Sequence, residues 1–364
     1  MLLALGIETS CDDCSVSVVK EDGEVLFLTQ SSQDHIHQKF EGIVPELASR
    51  QHEQSLLPLI DQALKTVSLS QIDVICVSNR PGLLGSLLVG CVTAKMLSLV
   101  WGKPLIGVNH IEAHVLSPLL FEKTNGVGSS DFAVSPSEGA GFATLGFEFP
   151  ALAFVVSGGH SSLFLMKGVG DSDLLAKTRD DSAGEAFDKM ARLLGFSWPG
   201  GPWIDKLAQS YSGKAKESFF SRIKTDDDSF SFSGIKSQAQ RLLIGKTVDW
   251  IQKNKAQICF DYQDKIVSHL MEKIKQAFDN NPVPSVFLGG GVSANSLLRS
   301  EIQKWSQEEG LSCFIPQKKF CMDNAAMVAF TGLQYFLKGR RDGLDMVCSP
   351  SHFQKDFFEQ KSLT

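Results

Sequence analysis

The sequence carries no surplus of positive charge. Its 35 Lys and Arg stand against 41 Asp and Glu, for a net charge of −6. That excludes a protein that holds nucleic acid through a global basic field, although a local or partner-assisted groove stays open. There is no second CxxC to join Cys11-Asp-Asp-Cys14, and a lone pair without a thioredoxin-like context is weak ground for zinc or redox chemistry. The other cysteines (Cys76, Cys91, Cys259, Cys313, Cys321 and Cys348) are scattered, mostly in apolar or strand-like contexts, as free thiols are in a reducing compartment. Met1 to Ile7 lacks a basic flank and a long apolar core, so no secretory leader is expected. The most apolar run, Leu83 to Val100, is broken by Gly85, Ser86, Gly90, Thr93, Lys95 and Ser98. It is expected as a buried helix rather than a membrane span. These absences point to a cytoplasmic protein with no membrane association.

What is present is a globular composition. The 364 residues are 43% apolar and 21% charged, enough chain for two domains. Strands are expected at Leu2 to Glu8, Cys14 to Lys20 and Val25 to Ser31. A long helix within Gly42 to Leu64 follows, interrupted by Pro45 and Pro58. Next come a strand at Val74 to Ser78, the apolar helix and a strand at Pro104 to Val108. Residues 125–149, rich in glycine, serine and proline, read as a loop or linker. The pattern then restarts: strand Ala151 to Ser157, a Gly158-Gly159-His160 turn, and strand Ser161 to Lys167. A later strand, Ser285 to Leu288, ends in Gly289-Gly290-Gly291. Two lobes that each open with a β-hairpin imply a duplicated mixed-sheet α/β architecture. The expected domains are 1–120 with 324–364 packing back on it, a flexible insertion at 121–149, and 150–323.

The most informative stretch is His110-Ile-Glu-Ala-His114. Two imidazoles one helical turn apart can face one metal ion, or form a hydrogen-bonded buried pair without one. Glu112 sits two residues after His110, about 200° round a helix, and would face away. The zinc-protease signature, where the glutamate directly follows the first histidine, is therefore absent. A third ligand is available in Asp323, which could equally cap the apolar helix expected from Ala325 to Leu337.

Several loops suit phosphate or nucleoside. The turns around Ser10 and at Ser157-Gly158-Gly159 expose backbone N–H groups, or are simply tight turns. Asp12 and Asp13 would repel bare phosphate, and make sense beside a cation or as a base near a reacting group. Leu288-Gly-Gly-Gly-Val-Ser-Ala-Asn295 is neither GxGxxG nor a Walker loop. Its glycines allow close approach of a ligand, and Asn295 could bind a ribose or base or cap a helix. Asp180 and Asp181 read as acids favouring a helix dipole, whereas Asp188 comes too late for that role. Pro199-Gly200-Gly201-Pro202 is a rigid turn that can wall a pocket.

Taken in order, these pieces resemble one family, the tRNA N6-adenosine threonylcarbamoyltransferases (TsaD), once regarded as O-sialoglycoprotein endopeptidases. The matching stretches are Leu5-Gly-Ile-Glu-Thr-Ser-Cys-Asp12, Gly42-Ile-Val-Pro-Glu-Leu-Ala-Ser-Arg50, Asn109-His-Ile-Glu-Ala-His114 and Val156-Ser-Gly-Gly-His160. Ala183-Gly-Glu-Ala-Phe-Asp-Lys189, Phe230-Ser-Phe-Ser-Gly-Ile-Lys236, Gly289-Gly-Gly-Val-Ser-Ala-Asn295 and Asp323-Asn324 complete them. The resemblance implies the two-lobed fold of actin, Hsp70 and sugar kinases. It implies a divalent metal on His110, His114 and Asp323, iron in first place with zinc or magnesium as alternatives. It further implies adenylate and threonylcarbamoyl contacts at Val155, Val156, Ser157, Gly158, Gly159, Asp188, Gly201 and Asn295, and places Asp12 near the reacting centre. The implied reaction moves a threonylcarbamoyl group from threonylcarbamoyl-adenylate to N6 of adenosine 37 in tRNAs reading codons that begin with A. The implied partners are tRNA, a shortened TsaB-like paralogue and a small TsaE-like ATPase.

This chain departs from the family pattern in having Asp13 and Cys14 where Glu and Thr are usual. Arg80 stands in what is commonly a Gly-Pro-Gly turn, and Ala113 replaces a common glycine. Lys318, Lys319, Lys338, Arg340 and Arg341 are candidates to help hold tRNA, or form a solvated face. The rival readings are an actin-like ATPase or sugar kinase, a metalloprotease, and a non-catalytic binding subunit.

Overall fold

The computed structural model describes residues 1–40, 42–123, 148–213 and 217–351. The insertion expected at 121–149 falls largely outside them. The described chain divides into two compact units, one of residues 1–116, 120–123 and 323–351, the other of 117–119 and 148–322.

The first unit begins with a meander, β1 (Leu3–Glu8), β2 (Cys14–Lys20) and β3 (Val25–Ser31). A short helix α1 (Asp34–His37) and a long α2 (Pro45–Thr66) follow, then β4 (Val74–Arg80), α3 (Leu84–Trp101), β5 (Leu105–Asn109) and α4 (His110–Leu116). The strand order is β3-β2-β1-β4-β5, antiparallel across the meander and parallel across β1-β4-β5. Every residue of β1 is buried, as a central strand covered on both faces requires. Pro45 opens α2 where a missing N–H is tolerated, and Pro58 lies within a helix that continues past it.

The second unit repeats the plan. Its meander is β6 (Ala151–Val156), β7 (Ser161–Gly168) and β8 (Asp171–Lys177). The helices α5 (Ala183–Leu193), α6 (Gly201–Ser210), α7 (Ser233–Leu243) and α8 (Val248–Asn280) follow. After them come β9 (Ser285–Gly289), α9 (Ser296–Glu308) and β10 (Ser312–Phe314). Read from the meander edge, β8-β7-β6-β9-β10 has the order and strand directions of the first sheet. The last helix, α10 (Ala325–Leu337), belongs to the first unit and is buried from Ala325 to Tyr335. A helix apolar on all sides is expected to be buried, as α10 is.

Two expectations change. The Leu83–Val100 run was expected to be a buried helix, yet α3 buries only one side (Ser86, Leu87, Gly90, Cys91 and Ala94). Its other side exposes Leu84, Leu88, Val92, Met96 and Leu99, with Leu99 70% accessible. Among the described residues α3 alone is long and apolar enough to cross a membrane; it rests on β4 and α2 of its own unit. Asp180 and Asp181 are not dipole acids of α5, whose N-cap is Ser182. Asp180 instead accepts hydrogen bonds from Ser231 Oγ (2.5 Å), Phe232 N (2.7 Å) and Ser233 Oγ (2.9 Å). Asp181 pairs with Lys189 (2.8 Å) and Lys236 (2.6 Å).

Helix α10 lies directly on β1. A methyl group at Gly6 would meet Ala325 O and lie 2.8 Å from Ala329 N. Backbone cannot move aside as a flexible side chain can, so Gly6→Ala should cost about 1–3 kcal/mol, as overpacking does. Equilibrium denaturation in urea measures this, and an unchanged midpoint would reject the contact. In the second unit His269 is 2% exposed, edge-on to Phe230 and Phe232, and accepts from Ser231 N at 3.5 Å. Burial, aided by Lys273, pushes its pKa down to about 4 from 6.5. The unfolded chain therefore takes up a proton that the fold refuses. This contribution is intact above about pH 6.5 and is lost as pH falls toward 4. His269→Gln should flatten the stability slope in that window, measured by denaturation at stepped pH.

Candidate functional site

Helix α4 starts at the C-terminal end of β5 and carries His110 and, one turn later, His114 on one side. Their rings lie 4.7 Å apart at 81°. The residue just before the Asn324 N-cap of α10 brings Asp323 to them from 209 positions away. Asp323 Oδ1 is 3.0 Å from His114 Nε2 and 3.5 Å from His110 Nε2. The expectation that Asp323 itself caps α10 is corrected: Asn324 accepts from Met327 N. Ser15 Oγ receives the Ala325 N–H at 3.1 Å, which ties the start of α10, and with it Asp323, to β2.

His110 is held from behind. Its Nδ1 lies 2.9 Å from Glu8 Oε2 and 3.1 Å from Ser10 Oγ. A carboxylate behind the ring places the proton on Nδ1 and leaves Nε2 to face a cation. Sequence reasoning missed Glu8; its signal was an acid at the buried end of an otherwise apolar strand. Burial presses the His110 imidazolium down, but Asp323 and Glu8 together outweigh it and hold its pKa well above the usual value. For His114 burial prevails and the pKa falls. Burial would raise Asp323, yet His110 and His114 hold it well below the usual carboxylate range. The three ligand atoms lie within 4.8 Å of one another. Two imidazoles and a carboxylate, with a buried carboxylate orienting one ring, fit iron or zinc.

Glu112 turns to the other side of α4 and accepts a short hydrogen bond from Tyr335 Oη. Arg80, at the end of β4, is half-buried, and burial lowers its pKa.

The β1–β2 turn carries Asp12 and Asp13 in the same unit. Burial, with the Asp323 charge adding to it, raises the Asp12 pKa. For Asp13, burial together with Asp12 and Asp323 pushes the pKa up to about 8. Asp13 Oδ1 is buried without a hydrogen-bond partner. The substrate contact expected of Ser10 is revised. The residue is 2% exposed, gives its N–H to Glu8 Oε1 at 2.5 Å, and serves the shell behind His110. Cys14 lies in the core, where burial pushes its thiol up to about 12. Burial also raises Cys11 well above its usual range, so neither thiol is a ready nucleophile.

In the second unit the loops collect at the C-terminal ends of β6 and β9, where open α/β sheets bind ligands. Val155 and Val156 are fully buried strand residues paired to β7, and Val155 also to β9. They carry the Ser157–Gly159 turn rather than present side chains. Ser157 Oγ accepts from Gly159 N (3.3 Å) and His160 N (3.1 Å). Gly290 adopts φ +85°, and a side chain there would strike Val156 O at 2.5 Å. Only glycine lets the two strand ends approach so closely. Asp188 accepts from Gly200 N at 2.7 Å and so holds the Gly200-Gly201 turn; burial raises its pKa. Asn295 caps α9 by accepting from Leu298 N (3.1 Å) and donates to Gln263 Oε1 (2.9 Å). Of the cationic candidates, Arg340 pairs with Asp342 at 2.9 Å, and Arg341 lies over the Phe336 ring at 3.3 Å.

The fold is similar to that of T. kodakarensis HypF (TM-score 0.57, 14% identity, 93% of this chain and 48% of that one). A full-length HypF in a phosphate- and nucleotide-bound form gives a TM-score of 0.56 at 13% identity, over 93% of this chain and 47% of the other. The fold is thus α/β of the actin-like ATPase class. The sequence is 41% identical over 357 residues to a tRNA N6-adenosine threonylcarbamoyltransferase of Bdellovibrio bacteriovorus, covering 97% of this chain and 98% of that protein. It is 38% identical to the protein of that name from Porphyromonas gingivalis, over 95% and 97% of the two chains. The family model for TsaD, tRNA N6-adenosine threonylcarbamoyltransferase, matches residues 24–128 and 134–330. With matches of this extent, the chain belongs to the tRNA N6-adenosine threonylcarbamoyltransferase family.

Proposed function

We propose that the protein transfers a threonylcarbamoyl group from threonylcarbamoyl-adenylate to N6 of adenosine 37 in tRNAs reading codons that begin with A, releasing AMP. The observation that carries the reading is the His110–His114–Asp323 cluster, within 4.8 Å, in a chain of this family. We assign one divalent cation to it, iron first, with zinc or magnesium as alternatives. When bound, such a cation supplies Lewis-acid polarisation of a substrate oxygen.

The remaining work falls to the chain. The exocyclic amine is a poor nucleophile, so both reactants must be held in line. Ser157 Oγ already accepts two N–H groups, which directs its own proton outward as a donor to an adenylate oxygen. The Gly158 and Gly159 positions are open, with nothing within 4 Å of an added Cβ, so the turn admits a ligand against its backbone. Asp188 fixes the Gly200-Gly201 wall. Burial makes Asp12 and Asp13 more basic than ordinary carboxylates, which suits acceptance of the proton that the attacking amine loses. The C–N bond forms as the carbonyl–phosphate C–O bond breaks, and AMP departs. Adenosine 37 lies in a single-stranded loop, so presenting it costs less than extrusion from a duplex.

The protease reading is disfavoured because Glu112 lies on the far side of α4, bonded to Tyr335. For partners we propose tRNA, a shortened TsaB-like paralogue and a TsaE-like ATPase, in the cytoplasm. The exposed stripe Leu84, Leu88, Val92 and Met96 recurs every four residues along α3, the spacing that docks one helix on another. Leu88→Glu with Met96→Glu should abolish co-elution with the paralogue in gel filtration. Retained co-elution would move that interface elsewhere.

Reconstitution with unmodified tRNA, threonine, bicarbonate, ATP and the adenylate-forming synthase, read by nucleoside mass spectrometry, tests the activity. His110→Ala should lose bound metal and transfer while keeping its thermal transition, and unchanged metal content would remove the metal assignment. Glu8→Gln should lower metal affinity or activity by roughly 10–100-fold, as removal of a carboxylate behind a ligating imidazole does.

A further inference from the structure

A buried polar chain in the first unit has no part in the site described so far. Gln33, His37 and His52 are 0%, 1% and 0% exposed. Gln33 follows β3, His37 ends α1, and His52 lies on the inner face of α2. His52 Nε2 is 3.0 Å from the carbonyl oxygen of Cys11, in the turn that carries Asp12 and Asp13. His52 Nδ1 is 3.3 Å from Gln33 Nε2, which is also 3.3 Å from the Ala48 carbonyl. Gln33 Oε1 is 3.1 Å from His37 Nε2, and His37 Nδ1 receives the Val44 N–H at 3.3 Å.

The ends of this chain determine every proton in it. A carbonyl can only accept, so Ala48 requires the amide nitrogen of Gln33 to face it. That nitrogen then donates to His52 Nδ1, which leaves His52 Nε2–H for the Cys11 carbonyl, again the only polarity a carbonyl allows. At the other end the Val44 N–H can only donate, so His37 Nδ1 accepts and His37 Nε2–H donates to Gln33 Oε1. Both rings are neutral Nε2–H tautomers, and all five bonds run in one consistent sense. Burial lowers the His52 pKa, in keeping with a neutral ring. A satisfied buried network specifies one arrangement, because any broken link leaves a buried polar atom unpaired.

We infer that His52 and Gln33, braced by His37, are positioning residues that fix the Cys11 carbonyl and thereby hold the Asp12-Asp13 turn in reactive register. The inference rests on the reading of Asp12 as a participant in transfer. Thr9 and Ser10 are anchored by Ser86, Leu83 and Glu8, and His52 extends that anchoring to Cys11, next to Asp12. A displacement of about 1 Å at a reacting centre costs on the order of 100-fold in rate.

The test is steady-state transfer kinetics on the full chain, reconstituted as above and checked for metal content and thermal transition. His52→Leu and Gln33→Leu should each lower kcat by up to about 100-fold, with little change in the KM for tRNA and no loss of metal. His52→Gln, whose amide N–H can still reach the Cys11 carbonyl, should recover most of the rate. The double variant should be no worse than the poorer single one, since both break one chain. Nitrogen-15 shifts of the wild-type rings should report the neutral Nε2–H tautomer at both histidines. A folded, metal-loaded His52→Leu enzyme with wild-type kcat, or a wild-type His52 protonated on Nδ1, overturns the assignment. Should His52→Leu fail to fold, Gln33→Leu and the tautomer measurement decide it. Asp12→Asn, run in parallel, separates the two levels. If it is fully active, the underlying reading falls and this inference with it; if it is inactive beside a fully active His52→Leu, the positioning role alone falls.

Discussion

The rest of the site depends on one carboxylate oxygen that faces two buried imidazoles. Asp323 Oδ1 lies 3.0 and 3.5 Å from His114 and His110, both nearly inaccessible to water. Charge in so dry a setting must be matched or neutralised. Here the His110 ring stands between two acids, Asp323 at Nε2 and Glu8 at Nδ1, so that opposite charges meet on both sides of it. Two acids and two imidazoles leave three ligand atoms facing one point. The geometry holds because every backbone element that brings them is itself constrained: the end of β1, the first turn of α4, and the residue before the α10 cap.

The duplicated sheet explains why both sets of loops lie where they do. In each unit a central strand forms an antiparallel hairpin on one side and parallel pairs on the other. The turn of that hairpin, Thr9 to Asp13 in one unit and Ser157 to His160 in the other, emerges at the C-terminal end of the central strand. One turn was equipped with acids beside the His110–His114–Asp323 cluster, the other with glycines and a hydroxyl. The same topology thus supplies a charged, buried setting in one unit and an open, neutral cradle in the other.

Much of this was legible along the chain. Alternating and continuous apolar runs marked β1, β2, β3, β4, β6 and β7 within one or two residues, because strand periodicity leaves a direct trace. Strand β8 left none: Asp171 to Leu174 are exposed edge residues held by pairing to β7 alone. Helix α8 was equally silent, a 33-residue element whose apolar positions are diluted by charged ones. The single-sided burial of α3 was illegible for the opposite reason, since its sequence is apolar all round. The acids Asp180 and Asp181 were misread because proximity to a helix start suggested a dipole role, while the Asp180 partners and one Asp181 partner, Lys236, lay more than fifty residues away.

What the sequence determined by itself was the inventory: two imidazoles a helical turn apart, the glycine turns after strands, the order of the motifs and hence the family. These are local facts, set by spacing within one element. What only the tertiary structure decided was partnership. Nothing near Glu8 in the chain announces that it backs His110, 102 residues on. Nothing near Gln33 announces that its amide joins two histidines to the carbonyl of Cys11. Hydrogen-bond polarity is satisfied in space, between groups that burial has cut off from water, and so it is settled only when the sheet and helices have closed over them.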